Sequence, residues 1–304
     1  MIDLTFLGTS SAFPTAKRNH PSVYLSIEGT RMLLDCGEGT QRQIRKAGLS
    51  PSIDYIFITH WHGDHSLGVG GMIQSLNMMK SNKLLYIFGP SGTKESVENI
   101  IKSYKFYNNV NVKKVPINAV KERLLINNEK YSVSAINVKH SVKCLAYKVS
   151  EHDSRNILVD KLSKMNIKPG EFLKDLKNGK DVLYNGKKLK YKDFTYIKKG
   201  KSIAYVTDLR FENTILPFVK GVDTLIIEST FAADFKRSYD FFHLNINEAM
   251  KIAKDSGAKN VYFVHTSQRY DNTDLMQKDA QNVFSKLKCK FNYYFPDDLD
   301  KISL

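Results

Sequence analysis

The sequence predicts an α/β fold, on three observations. Short apolar runs alternate with amphipathic stretches for most of the length. The 304 residues are enough to bury a substantial core, with 42% apolar residues and a mean hydropathy of -0.36. Several apolar runs end on a histidine or an aspartate, and loops at strand ends are where α/β folds place their chemistry.

The elements follow in chain order. Residues 2–7, 22–27 and 31–35 are strands, each a short run of apolar and β-branched side chains. Residues 40–47 form a helix, with Ile44 and Ala47 among polar neighbours. Residues 55–59 are apolar almost throughout and read as a strand buried on both faces. Residues 67–80 carry Val69, Met72, Ile73 and Leu76 at helical spacing, and 93–102 carry Val97, Ile100 and Ile101; between these two helices lies the strand 84–88. Strands 131–138, 145–149, 202–206 and 224–227 come next, then helix 247–256, strand 260–264, helix 274–287 and strand 291–294. No tandem repeat is visible.

No apolar stretch approaches the eighteen or so residues of a membrane span, and the start lacks the charged region and cleavage site of a signal peptide. A cytoplasmic protein with no membrane partner is expected. Cys36, Cys144 and Cys289 are widely spaced and odd in number, which fits a reducing compartment and small buried packing residues rather than a disulfide framework.

The net charge is +15, from 46 basic and 31 acidic residues. Such an excess attracts polyanions, of which phosphate backbones are the commonest a cytoplasmic protein meets. The charge is concentrated. Residues 150–200 hold thirteen Lys or Arg against seven acids, a local +6. Phe172, Tyr184, Tyr191, Phe194 and Tyr196 are interleaved with those lysines, and Pro169-Gly170 and Asn185-Gly186 supply turns. This segment reads as an inserted basic arm that clamps a folded RNA through phosphate contacts.

The chemistry is announced by His60-Trp61-His62-Gly63-Asp64-His65, directly after the strand 55–59. Imidazoles and a carboxylate at a strand's end can converge on metal from several directions, and histidine rarely clusters without a use. The same strand-then-ligand pattern recurs at His140, Asp208 and His265. Nitrogen and carboxylate donors without thiolate suit Zn²⁺, and leave Mn²⁺ or Fe²⁺ open.

The spacing His-x-His-x-Asp-His resembles the signature of the metallo-β-lactamase superfamily. That resemblance implies an αββα sandwich over the whole chain, 1–304, as a single domain with the arm inserted. It also implies two metal ions per subunit: His60, His62 and His140 on the first, Asp64, His65 and His265 on the second, and Asp208 bridging both. A metal pair of this kind can activate water and stabilise a leaving oxygen, so hydrolysis is the natural reaction.

Further motifs narrow the resemblance. They run from Gly8-Thr9-Ser10 and Pro14 to Asn19, through Leu34-Asp35-Cys36-Gly37-Glu38-Gly39-Thr40-Gln41 and Gly89-Pro90-Ser91-Gly92, to His265-Thr266-Ser267-Gln268-Arg269-Tyr270. Together they look like the ribonuclease Z family in its short form. The implied activity is endonucleolytic removal of the 3′ trailer of precursor tRNA, and the implied partners are precursor tRNA and a second subunit, as a homodimer. By the same resemblance residues 150–200 are the exosite arm, Asp64 orients or deprotonates the attacking water, His243 protonates the departing 3′ oxygen and Glu228 orients His243. Arg18, Asn19, Ser267 and Arg269 would hold phosphates or the discriminator region.

Some positions depart from the family pattern. Ala16 stands where a Lys belongs, with Lys17 one position later; Ile227 and Ser229 flank Glu228; Leu244 and Asn245 follow His243; Thr207 and Leu209 flank Asp208; and Glu171 follows Gly170. Two other functions share these residues. A phosphodiesterase acting on cyclic nucleotides would use the same ligands, and a non-catalytic RNA-binding protein would use only the arm.

Overall fold

A computed structural model describes residues 2–79, 83–105, 111–270 and 272–304. Its strands, in chain order, are Ile2–Gly8 (β1), Ser22–Ile27 (β2), Thr30–Leu34 (β3), Tyr55–Phe57 (β4), Leu85–Pro90 (β5), Val112–Ile117 (β6), Arg123–Asn127 (β7), Tyr131–Val138 (β8) and Cys144–Glu151 (β9). The chain then makes Ser154–Ile157 (β10), Val182–Tyr184 (β11), Lys187–Leu189 (β12) and Thr195–Lys198 (β13). It closes with Ser202–Val206 (β14), Thr224–Glu228 (β15), Asn260–Val264 (β16), Asn292–Tyr294 (β17) and Lys301–Ser303 (β18).

Two seven-stranded mixed sheets result, in the orders β18-β1-β2-β3-β4-β5-β6 and β17-β16-β15-β14-β9-β8-β7. Each has an antiparallel half and a parallel half. The sheets pack face to face through Leu4, Phe6, Leu25, Leu34 and Phe57 on one side and Val133, Tyr147, Ile203, Tyr205 and Ile226 on the other. The outer face of the first sheet is covered by helices Thr40–Lys46, Val69–Met78 and Thr93–Ser103. Ile246–Ser256 and Asp274–Leu287 cover the second. Helix, sheet, sheet, helix is therefore the layer order, an αββα sandwich.

Burial on both faces explains why the central strands read as continuous apolar runs. Phe57 points into the space between the sheets, while Ile56 and Ile58 point under the helices. Strands β6, β7 and β18 escape the sequence reading for the opposite reason. All three are edge strands, and edges carry charge and proline to discourage further pairing. β6 accordingly contains Lys113, Lys114 and Pro116. The helix expected over 67–80 is observed as Val69–Met78, preceded by a separate single turn at Gly63–Ser66. Lys80, its expected end, lies outside the described residues.

Strands β9 and β14 are antiparallel neighbours, with Ser150 opposite Ser202, and the segment between them leaves the second sheet at their adjoining ends. Gly200 sits at that root, where a Cβ would come within 1.9 Å of the Glu151 carbonyl oxygen. The segment has its own small core of Leu162, Ile167, Leu176, Leu189 and Phe194. Phe172, Tyr184 and Tyr191 pack against it, so four of the five interleaved aromatics hold the segment together. Tyr196 alone is exposed. Asn185 and Gly186, both with positive φ, turn β11 back onto β12. Lys164, Lys168, Lys174, Lys177, Lys180, Lys187 and Lys190 face solvent and make no ion pair among the described residues.

Candidate active site

Strands β8, β14, β15 and β16 all run in one direction across the second sheet, because β8 and β14 are both antiparallel to β9. Their C-terminal ends lie along one edge. His140, Asp208, Glu228 and His265 are carried there, and the loop after β4 brings His60 to His65 across from the first sheet.

Two groups of ligand atoms form, each with its atoms within 4.8 Å of one another: His60, His62, His140 and Asp208, and Asp64, His65, Asp208 and His265. Asp208 turns one oxygen to each group. Its Oδ2 lies 3.6 Å from His60 Nε2 and 3.8 Å from His140 Nε2. Its Oδ1 lies 3.4 Å from His65 Nε2 and 3.1 Å from His265 Nε2. Asp64 Oδ2 stands 3.3 Å from His65 Nε2 and 3.5 Å from His265 Nε2.

The surroundings decide which ring nitrogens face inward. His65 Nδ1 donates to Asp35 Oδ2 at 2.7 Å, and His140 Nδ1 donates to the Phe242 carbonyl at 3.0 Å. Thr59 Oγ1 donates to the Asp35 carboxylate and so accepts from His60 Nδ1 at 3.1 Å. Thr230 does the same between Glu228 and His265, accepting from His265 Nδ1 at 2.8 Å. Each of these imidazoles spends its N–H on a neighbour and turns the Nε2 lone pair toward the others. Lone pairs and carboxylates converging without a donor between them repel, and Asp208 Oδ1 is buried with no hydrogen-bond partner. Such a donor set fits cations. Burial also keeps His60, His62 and His140 below the usual histidine range, as neutral ligands require. Burial pulls His65 the same way, but the carboxylates of Asp208, Asp35 and Asp64 outweigh it and push this residue well above that range, so that without a cation its Nε2 takes a proton in the cation's place.

A third cluster adjoins these two. His243 Nδ1 lies 3.2 Å from Glu228 Oε2 and 3.9 Å from Asp208 Oδ2. Burial would lower the His243 pKa, yet the Glu228 and Asp208 carboxylates hold it up at about 9. Glu228 is fully buried and also accepts from Leu209 N at 2.8 Å, which ties it to the Asp208 loop.

The departures from the family pattern beside Glu228 and His243 have local reasons here. Ile227 is fully buried in the core of the second sheet, and Ser229 is held by its N–H to the Val264 carbonyl. Leu244 is fully buried in that core, while Asn245 caps helix Ile246–Ser256 in a capping box with Glu248. Thr230, unchanged, makes the contacts to Glu228 and His265.

The residues expected to hold substrate are placed differently from one another. Ser267 is buried and Arg269 exposed on the loop after His265. The loop with Arg18 and Asn19 lies alongside, because Ser11 N donates to the Thr266 carbonyl and Thr266 N to the Thr9 carbonyl. Arg18 is engaged within the protein, donating to Thr9 Oγ1 at 2.6 Å, the Pro296 carbonyl at 2.9 Å and Asp297 Oδ1 at 2.7 Å. Asn19 donates its N–H to Asp298 and its side-chain amide to the Glu38 carbonyl. Both brace the loop to the C-terminal segment. Lys17 is exposed with no ion pair among the described residues.

Sequence reasoning missed Asp35 as a working residue. Its buried carboxylate accepts from Thr59 N, Thr59 Oγ1, His65 Nδ1 and Tyr205 Oη. The signal was present, since Asp35 ends the predicted strand 31–35 just as Asp208 follows its own. Asp35, Asp208, Phe242 and His265 all have φ between 52° and 66°, a left-handed backbone that non-glycine residues rarely adopt and that clusters at functional sites.

The family model described as "Anti-Pycsar protein Apyc1" matches residues 2–143, and that described as "Beta-lactamase superfamily domain" matches residues 194–266. A ribonuclease Z of Nanoarchaeum equitans is 37% identical over 97% of this chain and 91% of its own length. One of Saccharolobus solfataricus is 35% identical over 100% of both chains. The crystal structure of the short form of human tRNase Z superposes with a TM-score of 0.68, at 23% identity, over 99% of this chain and 98% of that one.

Proposed function

The chain belongs to the ribonuclease Z family, and on that premise we propose that it removes the 3′ trailer of precursor tRNA by hydrolysing the phosphodiester after the discriminator nucleotide. The products are a tRNA 3′ hydroxyl and a trailer 5′ phosphate. The observation that carries the reading is the Glu228–His243 pair set against the Asp208 side of the histidine cluster, a proton donor beside a place for cations. A non-catalytic RNA binder has no use for that pair, and a cyclic-nucleotide phosphodiesterase has none for the lysine-rich arm.

His60, His62 and His140 with Asp208 Oδ2 would hold one ion, and Asp64, His65 and His265 with Asp208 Oδ1 the other; nitrogen and carboxylate donors suit zinc. Two such ions supply Lewis acidity to the phosphodiester and lower the pKa of water. Asp64 orients the attacking water and takes its proton. Glu228 keeps His243 Nδ1 occupied, so the opposite ring nitrogen is left to meet the departing 3′ oxygen. A ribose alkoxide is a poor leaving group, so a proton delivered at that oxygen is required. Incubation of the purified protein with 3′-extended tRNA, with and without chelator, tests the reading. A single chelator-sensitive cut after the discriminator is expected, and a cut elsewhere, or none, refutes it.

The arm makes a separate prediction. Phosphate contacts release counterions, so replacing Lys174, Lys177 and Lys180 with alanine is expected to weaken precursor binding and to reduce the slope of log K against log salt by about 2 to 3. An unchanged slope would remove the arm from RNA binding. In a homodimer where one subunit's arm serves the other's site, mixing this variant with one lacking Asp208 restores activity. Failure to restore it counts against that arrangement.

A further inference from the structure

The segment leading into His243 leaves large rings in water. Phe235 is 65% exposed, Tyr239 52% and Phe241 58%, within seven residues of one another. Apolar surface gathered at one place marks a binding site more often than chance. Here the rings are also ordered. Phe235 and Tyr239 are nearly parallel, at 25° with centroids 6.1 Å apart. The Arg210 guanidinium lies 4.0 Å from the Tyr239 ring centre and 3.8 Å from that of Phe242. Its Nη2 donates to the Tyr239 carbonyl at 2.7 Å, and its Nε is buried without a partner. The Phe242 carbonyl in turn accepts from His140. Phe235, Tyr239, Arg210 and Phe242 thus form one column of planar groups running from solvent to the ligand cluster.

We propose that the outer end of this column, Phe235 and Tyr239, is a stacking platform for the unpaired base of the discriminator nucleotide. The proposal rests on the function above, because that function places the 3′ oxygen of this nucleotide at His243. The base attached to the same ribose must then lie beside the segment that carries His243. That base is unpaired in tRNA and free to leave the acceptor stack. Aromatic faces accept any base, and a positive charge beside them suits the adjoining phosphates. Lys236 is exposed on the same turn and has no ion pair among the described residues. Behind Tyr239 the Arg210 guanidinium stiffens the platform, so little ordering remains to be done on binding.

The test compares wild type with Phe235→Ala/Tyr239→Ala on two 3′-extended precursors, identical except that one has an abasic discriminator. On the intact precursor the double variant is expected to lose about 10- to 100-fold in kcat/KM. Removing the base costs the wild type the same factor and costs the variant almost nothing. Tyr239→Phe retains wild-type behaviour. Losses that multiply instead of coinciding show that the platform does not hold this base, and cleavage of the intact precursor at the wild-type rate shows that it holds none. A change of oligomeric state with no change in base dependence assigns the patch to contact between copies, against the proposal. Both side chains are exposed, so the fold survives, and an unchanged melting temperature checks it; should the double variant melt early, Phe235→Ala alone gives the same comparison. Wild type that cuts neither precursor overturns the functional reading itself, an outcome distinct from any of these.

Discussion

Asp208→Asn is expected to lower kcat/KM for precursor tRNA by on the order of 1,000-fold or more, the largest effect of any single substitution in this chain. Among the described residues Asp208 is the one side chain that faces both ligand groups, with Oδ2 toward His60 and His140 and Oδ1 toward His65 and His265. Replacing one oxygen by an amide removes the negative charge and turns a donor toward lone pairs on one side. Charge stabilisation by metal ions is worth several kcal/mol in a phosphoryl transition state, and each 1.4 kcal/mol is about tenfold in rate. Asparagine is the informative replacement because it matches the shape of aspartate and tolerates the left-handed backbone at this position, where φ is 52°. The fold should therefore persist while the metal is lost. Elemental analysis beside the kinetics separates the two, with fewer than two metals per chain expected. A variant that keeps full metal and cleaves within tenfold of wild type would show that Asp208 does not join the sites.

The reach of the sequence can be judged from particular residues. His60, His140, Asp208 and His265 were legible because each follows an apolar strand closely enough that the strand end fixes its place. Asp35 follows one too, but its role lies in a contact with His65 thirty residues away, and the sequence shows no sign of that pairing. The column of Phe235, Tyr239, Arg210 and Phe242 was invisible for the same reason, since Arg210 belongs to a different strand end from the aromatics it stacks on. In the arm the lysines could be counted directly. Its internal core could not be seen, because β11 and β12 are three residues long and too short to show a period. Arg18 illustrates a different limit. An arginine in a loop beside the site suggests a phosphate ligand, yet the Thr9, Pro296 and Asp297 partners that engage it lie largely at the far end of the chain.

His243→Ala is expected to cost about 100- to 10,000-fold on precursor tRNA, the range of general acid catalysis, while sparing most of the hydrolysis of bis(p-nitrophenyl) phosphate. The asymmetry follows from the leaving groups. A ribose 3′ oxygen must be protonated as the bond to phosphorus breaks, whereas p-nitrophenolate is stable enough to depart unaided. A residue that merely shaped the site would lower both reactions together, and one that held the tRNA would raise KM and leave the rate under saturating substrate alone. Only a proton donor links the loss to the basicity of the departing oxygen. His243 is suited to that part because Glu228 is fully buried and anchored by Leu209 N and Thr230, so it cannot swing away and holds the imidazole by Nδ1. Equal losses on the two substrates would return His243 to a structural role. In that case the proton must come from elsewhere, and Asp208 cannot supply it, because His265, His65 and His243 outweigh its burial and hold its carboxyl well below the usual carboxylate range.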